Sequence, residues 1–293
     1  MTTYVTPASV EAALALLDEH RGRARIIAGG TDLLPDMRSG KRTPACLVDI
    51  TGIPGLREIR VAAGHVEVGA CVTFAELRDH PFIRQHIHAL AEAAASVGVA
   101  AIQNAATWAG NLVQAMPAAD GAIVALALEA EARIVDLSGE TWQPVASLFA
   151  GPGRSTVDPT RQLITHIRFP RPAAAWGTAW QRAGRRPSLI LPTINCAARL
   201  ILAADGGIAA ATIALGPVAA TPFRAARAEA FLHAARPAPA TWAEAARLAQ
   251  EEAQPRSNPL RASRAYRSAI IPALVESALA TAYGRATEKE SPC

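Results

Sequence analysis

Cysteine is scarce in this chain: four residues (Cys46, Cys71, Cys196, Cys293), widely scattered and with no Cys-x-x-Cys pair. That argues against an iron–sulfur cluster or structural zinc held by these residues. It also fits a reducing compartment such as the cytoplasm. Basic runs are missing too. No five consecutive basic residues occur and the net charge is only +4, so the electrostatic footprint of a nucleic-acid binder is absent. There is no uninterrupted apolar stretch of about 20 residues, so no transmembrane helix is expected. The opening Met-Thr-Thr-Tyr-Val-Thr-Pro has no basic region followed by an apolar core, so it does not read as a signal peptide. Neither G-x-G-x-x-G nor G-x-x-x-x-G-K-[ST] occurs, and Gly151-Pro-Gly-Arg-Ser-Thr matches neither spacing and reads as a loop. His86 and His88, two apart, would point to different sides of a helix and read as solvated positions rather than a metal site. No internal repeat is evident.

What is present is apolar surface. Hydrophobic residues make up 51% of 293 and charged residues 18%, enough to build a core and to exclude general disorder. The length suggests two or three domains or subdomains.

Residues 7–19 read as a helix with Pro7 in its first turn and Val10, Ala13, Leu14 and Leu17 on one face. Residues 23–27 and 47–50 read as short strands of a βαβ-like unit. After Pro54, 56–61 and 66–68 read as a hairpin around Ala-Ala-Gly-His. Helix follows from Phe74 to Arg78 and, with a break, from Pro81 to Val97. Residues 120–128 read as helix and 132–135 as strand. The Pro-rich run after Phe169 marks a boundary. Beyond it come Thr178–Gln181, then an antiparallel hairpin, 195–202 and 208–215, around Ala-Ala-Asp-Gly-Gly. Helices are expected at 224–235, 242–254 and 266–283, with Pro272 near the first turns of the last. Residues 287–293 read as a frayed tail.

Two loops of small residues carry the chemistry. The first, Ala28-Gly29-Gly30-Thr31-Asp32, follows a strand. Glycine lets the chain turn tightly and lets a ligand approach its N–H groups, and a row of such groups binds anions, often phosphate. The second is Thr107-Trp108-Ala109-Gly110-Asn111, followed by Pro117-Ala118-Ala119-Asp120. Alone, the Gly-Gly-Thr of the first loop is more often a turn than a ligand site.

Together with four further stretches they resemble a known family. These are Gly69-Ala-Cys-Val-Thr-Phe-Ala-Glu-Leu77, Leu47-Val-Asp-Ile-Thr-Gly-Ile-Pro-Gly-Leu56, 214–225 (Ala-Leu-Gly-Pro-Val-Ala-Ala-Thr-Pro-Phe-Arg-Ala) and 261–267 (Arg-Ala-Ser-Arg-Ala-Tyr-Arg). The chain resembles, over nearly its whole length, the FAD-binding medium subunit of the molybdenum hydroxylases, the xanthine dehydrogenase and carbon monoxide dehydrogenase type. The resemblance implies an α+β fold: a two-part FAD-binding domain of the vanillyl-alcohol-oxidase/PCMH type (1–55 and 56–172), then a smaller C-terminal α+β domain with an antiparallel sheet (173–286) and a tail. It implies that Ile27, Ala28, Gly29, Gly30, Thr31, Asp32 and Leu33 wrap the FAD diphosphate, with Thr107, Ala109, Gly110 and Asn111 on the same side. It further implies that Asp120 contacts the adenosine part, that Leu163 or Ile164 touches the flavin, and that Gln181 stands where the family often has a lysine near the ring. Asp120 has a second reading, as a helix N-cap.

Trp108 and Ala109 depart from the family's Thr-Ile-Gly-Gly-Asn. If the replaced glycine is needed at positive φ, Ala109 costs on the order of 1 kcal/mol. The implied role is electron relay. A large partner would carry molybdopterin and a small partner two [2Fe–2S] clusters, and FAD here would pass electrons to NAD, a quinone or a carrier. Two alternatives stay open: a stand-alone flavin oxidase of related fold, and a structural subunit of the same complex that has lost FAD. Against the first, no His or Cys lies beside either loop for covalent flavin attachment; the nearest are His20 and Cys46.

Overall fold

The structure is a computed structural model, and it describes residues 2–172, 174–186, 191–259 and 261–288. The end of the expected tail, 289–293, lies outside the described residues. The chain opens as β1 (Thr3–Val5), α1 (Val10–Glu19), β2 (Ala24–Ile27), α2 (Leu33–Arg38) and β3 (Cys46–Asp49). β3 lies in the middle, parallel to both β1 and β2. Its Cys46, Leu47 and Val48 are buried, as a strand with neighbours on both sides requires. α1 begins later than expected. Ser9, not Pro7, sets its start, because the Ser9 hydroxyl accepts a hydrogen bond from the Ala12 N–H at 3.2 Å. Ala13, Leu14 and Leu17 then pack on Ala24, Cys46 and Val48.

The next stretch runs β4 (Ile59–Val61), β5 (His65–Gly69), α3 (Phe74–Asp79), α4 (Pro81–His86), α5 (His88–Ser96), α6 (Ala100–Gln103), α7 (Trp108–Val113), α8 (Asp120–Ala127), β6 (Glu131–Asp136), β7 (Gly139–Pro144), β8 (Phe149–Gly151), β9 (Arg154–Ser155) and β10 (Leu163–Pro170). β4-β5-β10-β6-β7 form an antiparallel sheet, and β8 and β9 a separate small hairpin. Residues 151–156 are therefore partly strand rather than loop. His86 closes α4 and His88 opens α5, so the two stand on different helices. α8 is buried along its whole length because it is apolar on every side. It packs between α5 and the strands of the third region.

That region comprises β11 (Trp176–Ala183), β12 (Ile194–Leu202), β13 (Ile208–Gly216), β14 (Phe223–Arg224), α9 (Ala226–Leu232), α10 (Pro239–Glu252) and α11 (Arg264–Thr287). The strands make an antiparallel sheet in the order β11-β12-β13-β14. α11 covers β11 and β12, and α10 packs on α11. The helix expected from 224 starts at 226, because Phe223 and Arg224 pair with Leu215 and Ala214. α11 is longer than expected. Ser263 caps it, accepting from the Tyr266 N–H at 3.1 Å, and Pro272 lies inside it. Arg285 of α11 reaches Glu92 of α5 at 2.5 Å and donates to the Thr178 carbonyl at 2.8 Å, tying the C-terminal sheet to the helices before it.

Candidate functional site

β2 ends at Ile27 and the chain turns through residues 28–32 before α2 begins. Among the described residues, no protein acceptor takes the N–H groups of Gly29, Gly30, Thr31, Asp32 or Leu33. Unpaired donors are costly unless something outside the chain accepts from them. Gly30 sits at φ +64°, a left-handed turn that suits glycine. Gly29 has a different reason to be glycine. A Cβ there would overlap the Ala105 carbonyl oxygen and lie 2.6 Å from its carbon and 2.9 Å from the Ala106 Cα. The first loop thus packs backbone against backbone on the approach to the second.

The second loop is fixed from its other side. Phe74 N–H donates to the Ala106 carbonyl at 3.0 Å, and Thr107 bridges to Thr73. The Thr107 hydroxyl caps α7 by accepting from the Gly110 N–H at 3.1 Å. Trp108, the unexpected bulky residue, turns away from the loop. It is fully buried, donates its indole N–H to the Gly121 carbonyl at 2.9 Å and meets Phe169 edge-on at 6.1 Å. Ala109 is an ordinary helical residue and is not among those with positive φ, so the strain that a left-handed position would have imposed is absent. Replacing it should therefore bring no relief. Ala109→Gly is expected to lower stability by roughly 0.5–1 kcal/mol through helix entropy, with no gain in ligand affinity. Thermal unfolding and flavin titration of the variant check this.

Between the loops lies a cavity of about 730 Å³, within the ordinary range of ligand sites. The whole run from Ile27 to Leu33 lines it, with Thr107, Ala109, Gly110, Asn111, Leu163 and Ile164. Its other walls were not legible in the sequence: Arg25 and Arg42, Val97 and Ile102, the 153–155 segment of the small hairpin, and Gln162. Only the fold brings these together, and no local pattern marks them. Arg25 is held by the Gly22 and Ala24 carbonyls at 2.8 and 2.7 Å, and burial pulls its pKa down. The Asn111 side-chain oxygen is buried with no partner and lies against Gly121 of α8, where an added Cβ would come within 2.6 Å of it.

Asp120 and Gln181 lie outside this lining. Gln181 is on β11, opposite Cys196 of β12. Asp120 is buried at the start of α8, and the N-cap is Ala119, so the capping reading is corrected. Its carboxylate turns instead to Asn195, which donates from 2.5 Å, with Ser96 at 3.3 Å and Arg182 at 3.9 Å. Burial pushes this carboxyl up to about 6, opposed by the Asn195 hydrogen bond and the Arg182 charge. Cys71 and Cys196 are pushed up to about 12, chiefly by burial, which removes them as nucleophiles. No group of three or more His, Cys, Asp or Glu among the described residues could hold a metal.

The unpaired donor row and the largely apolar cavity it lines fit a cofactor with a diphosphate and a flat ring system. Comparison with known proteins agrees. Residues 1–172 match the family described as the FAD binding domain in molybdopterin dehydrogenase, and 179–282 the CO dehydrogenase flavoprotein C-terminal domain. The chain is 28% identical to the xanthine dehydrogenase FAD-binding subunit of Escherichia coli O157:H7, covering 98% of each. It is 33% identical to the 6-hydroxypseudooxynicotine dehydrogenase complex subunit alpha of Paenarthrobacter nicotinovorans, covering 97% of this chain and 95% of that one. A chain of carbon monoxide dehydrogenase from Hydrogenophaga pseudoflava superposes with a TM-score of 0.91 at 30% identity, over 97% of this chain and 98% of that one. With its fold, its loops and both family domains in agreement, the chain belongs to the FAD-binding subunits of the molybdenum hydroxylases, of the xanthine and carbon monoxide dehydrogenase type.

Proposed function

We propose that this chain is the electron-relay subunit of a cytoplasmic, multi-subunit molybdenum hydroxylase. Electrons would arrive from the [2Fe–2S] clusters of a small partner, after substrate hydroxylation on a large molybdopterin partner, and leave to an external acceptor such as NAD, a quinone or a carrier. Bound FAD suits this step because it exchanges electrons singly or in pairs. The observation that carries the reading is the row of unpaired N–H groups from Gly29 to Leu33, facing a cavity that the second loop closes.

The residues divide the work. The Gly29–Leu33 donors neutralise the diphosphate, with Thr31 able to add a hydroxyl. Thr107, Ala109 and Gly110 form the facing wall, and Leu163 and Ile164 give an apolar surface for the ring. Arg25 and Arg42 place positive charge at the same cavity. On this reading 1–55 and 56–172 are the two halves of the FAD-binding domain, and 173–286 the smaller domain behind them. The cytoplasmic placement is supported by the described cysteines, all free and buried, and by the lack, among described residues, of any helix long and apolar enough to cross a membrane.

The test is reconstitution of the purified chain with FAD and measurement of flavin absorbance per protein. Close to one non-covalent FAD per chain is expected. No bound flavin would leave the structural-subunit alternative standing, and a covalent flavin adduct by mass spectrometry would favour the oxidase. Co-expression with the partner subunits then identifies the acceptor by direct assay.

A further inference from the structure

The Arg-Ala-Ser-Arg-Ala-Tyr-Arg segment opens α11 and takes no part in the cavity lining. Its charges run against the helix. The positive end of a helix macrodipole favours acids in the first turn. α11 has none there and instead carries Arg261 just before its cap, Arg264 at its first position and Arg267 one turn on. Arg267 is 4% exposed, yet its Nε is buried without a partner. Its Nη1 donates to the Pro217 carbonyl at 3.0 Å and its Nη2 makes no hydrogen bond. Among the described residues no carboxylate pairs with Arg261, Arg264 or Arg267. Burial, and after it the nearby Arg261 charge, push the Arg267 pKa down. A buried guanidinium without a counter-charge is expensive, and its planar fork suits a phosphate or carboxylate.

The cluster is tied to a connection that also supplies one wall residue of the flavin cavity. Arg185 donates to the Arg261 carbonyl at 3.1 Å, while Leu191, on the other limb of the same β11–β12 connection, lines the cavity. The limbs are drawn together by the Thr193 N–H donating to the Ala183 carbonyl at 2.8 Å. Three arginines with no acid match a multiply charged phosphate better than a single carboxylate.

We propose that Arg267 and Arg261 form an anion subsite for a phosphate group of a diffusible electron acceptor, linked through the β11–β12 connection to the cavity assigned above to FAD. This rests on the electron-relay reading, and its test separates the two. Protein loaded with FAD, so that the diphosphate loop is filled, is titrated with inorganic pyrophosphate by calorimetry, as wild type, Arg261→Gln and Arg267→Gln. Arg261 is only part-buried, so its variant is the one expected to fold without difficulty. Wild type should bind pyrophosphate, and Arg261→Gln should bind about tenfold or more weakly, the weight of one charge-assisted contact.

In the assembled complex, Arg261→Gln should raise KM for a phosphate-bearing dinucleotide by a similar factor. KM for an uncharged quinone should not move, nor kcat with it. Pyrophosphate binding without any change in dinucleotide KM would assign the subsite to free phosphate and overturn the acceptor role. No pyrophosphate binding by wild type, or unchanged binding in both variants, would overturn the subsite itself. If the chain takes up no FAD, the flavin reading falls, and the difference between wild type and Arg261→Gln in pyrophosphate binding still decides the subsite.

Discussion

Gly29→Ala should unfold the first loop from the second and strip the chain of flavin. The new methyl would have to occupy space held by the Ala105 carbonyl and the Ala106 Cα. These are backbone atoms, and they are themselves anchored, since the Ala106 carbonyl accepts from Phe74 N–H at 3.0 Å and Ala106 N–H donates to the Ile102 carbonyl at 2.7 Å. No rotamer change relieves such a clash. Overpacking typically costs 1–3 kcal/mol, and backbone on both sides places this case at or above the top of that range, about 3 kcal/mol. The shift also pulls the unpaired N–H row away from its ligand, so flavin per chain should fall far below one. Gly52→Ala is the control. A Cβ there meets nothing within 4 Å and its φ is not positive, so stability and flavin content should match wild type. Denaturant midpoints and flavin absorbance of both variants are the measurements. A Gly29→Ala protein with wild-type stability and full flavin would show that the loops do not close as described.

The second large effect is a pH dependence centred on Asp120. Its carboxyl is raised from an ordinary 3.8 to about 6, mainly because burial disfavours the charge. Between those values the folded protein holds a proton that the unfolded chain has released. Stability from this group is therefore fully present below about pH 4 and is lost as pH rises through 6. At 1.36 kcal/mol per unit the loss amounts to about 3 kcal/mol. Asp120→Asn keeps the shape and removes the titration. The wild-type stability should fall relative to the variant between about pH 4 and 7 and run parallel outside it. Taking the difference cancels other titrating groups, including the part-buried His80, His88 and His166, whose pKa values desolvation lowers. Denaturant unfolding of both proteins across that range is the measurement. A difference that grows in the opposite direction would mean the carboxylate is stabilised as an anion by Asn195 and Arg182.

Much of the site was legible because it is local. Residues 28–33 declare themselves by glycine following a strand, and the second loop by its run of small residues. The hairpin around Ala-Ala-Asp-Gly-Gly and the buried strands were read from apolar runs bounded by turn residues. The helix starts were misplaced where a single side chain decides them, as Ser9 does for α1. The small hairpin at 149–155 gave no usable pattern. Its strands are two or three residues long, and its Gly-Pro-Gly reads as loop in any context.

The amino-acid sequence alone determined the family, the α+β class and the two loops, because turn chemistry, apolar periodicity and family motifs are written in neighbouring residues. Whether Ala109 is strained was a question of φ, and only the tertiary structure, which makes it an early residue of α7, removed the objection. The same holds for Trp108, which reads as an anomaly in the loop and is in fact a core residue bonded to Gly121. Gly29 is glycine because Ala105 lies against it, seventy-six positions away in the chain. Asp120 is buried against Asn195, seventy-five positions away, which no local pattern could show. Such contacts are set by how α8 and the two antiparallel sheets pack, and packing between distant segments leaves no trace in the residues that flank each one.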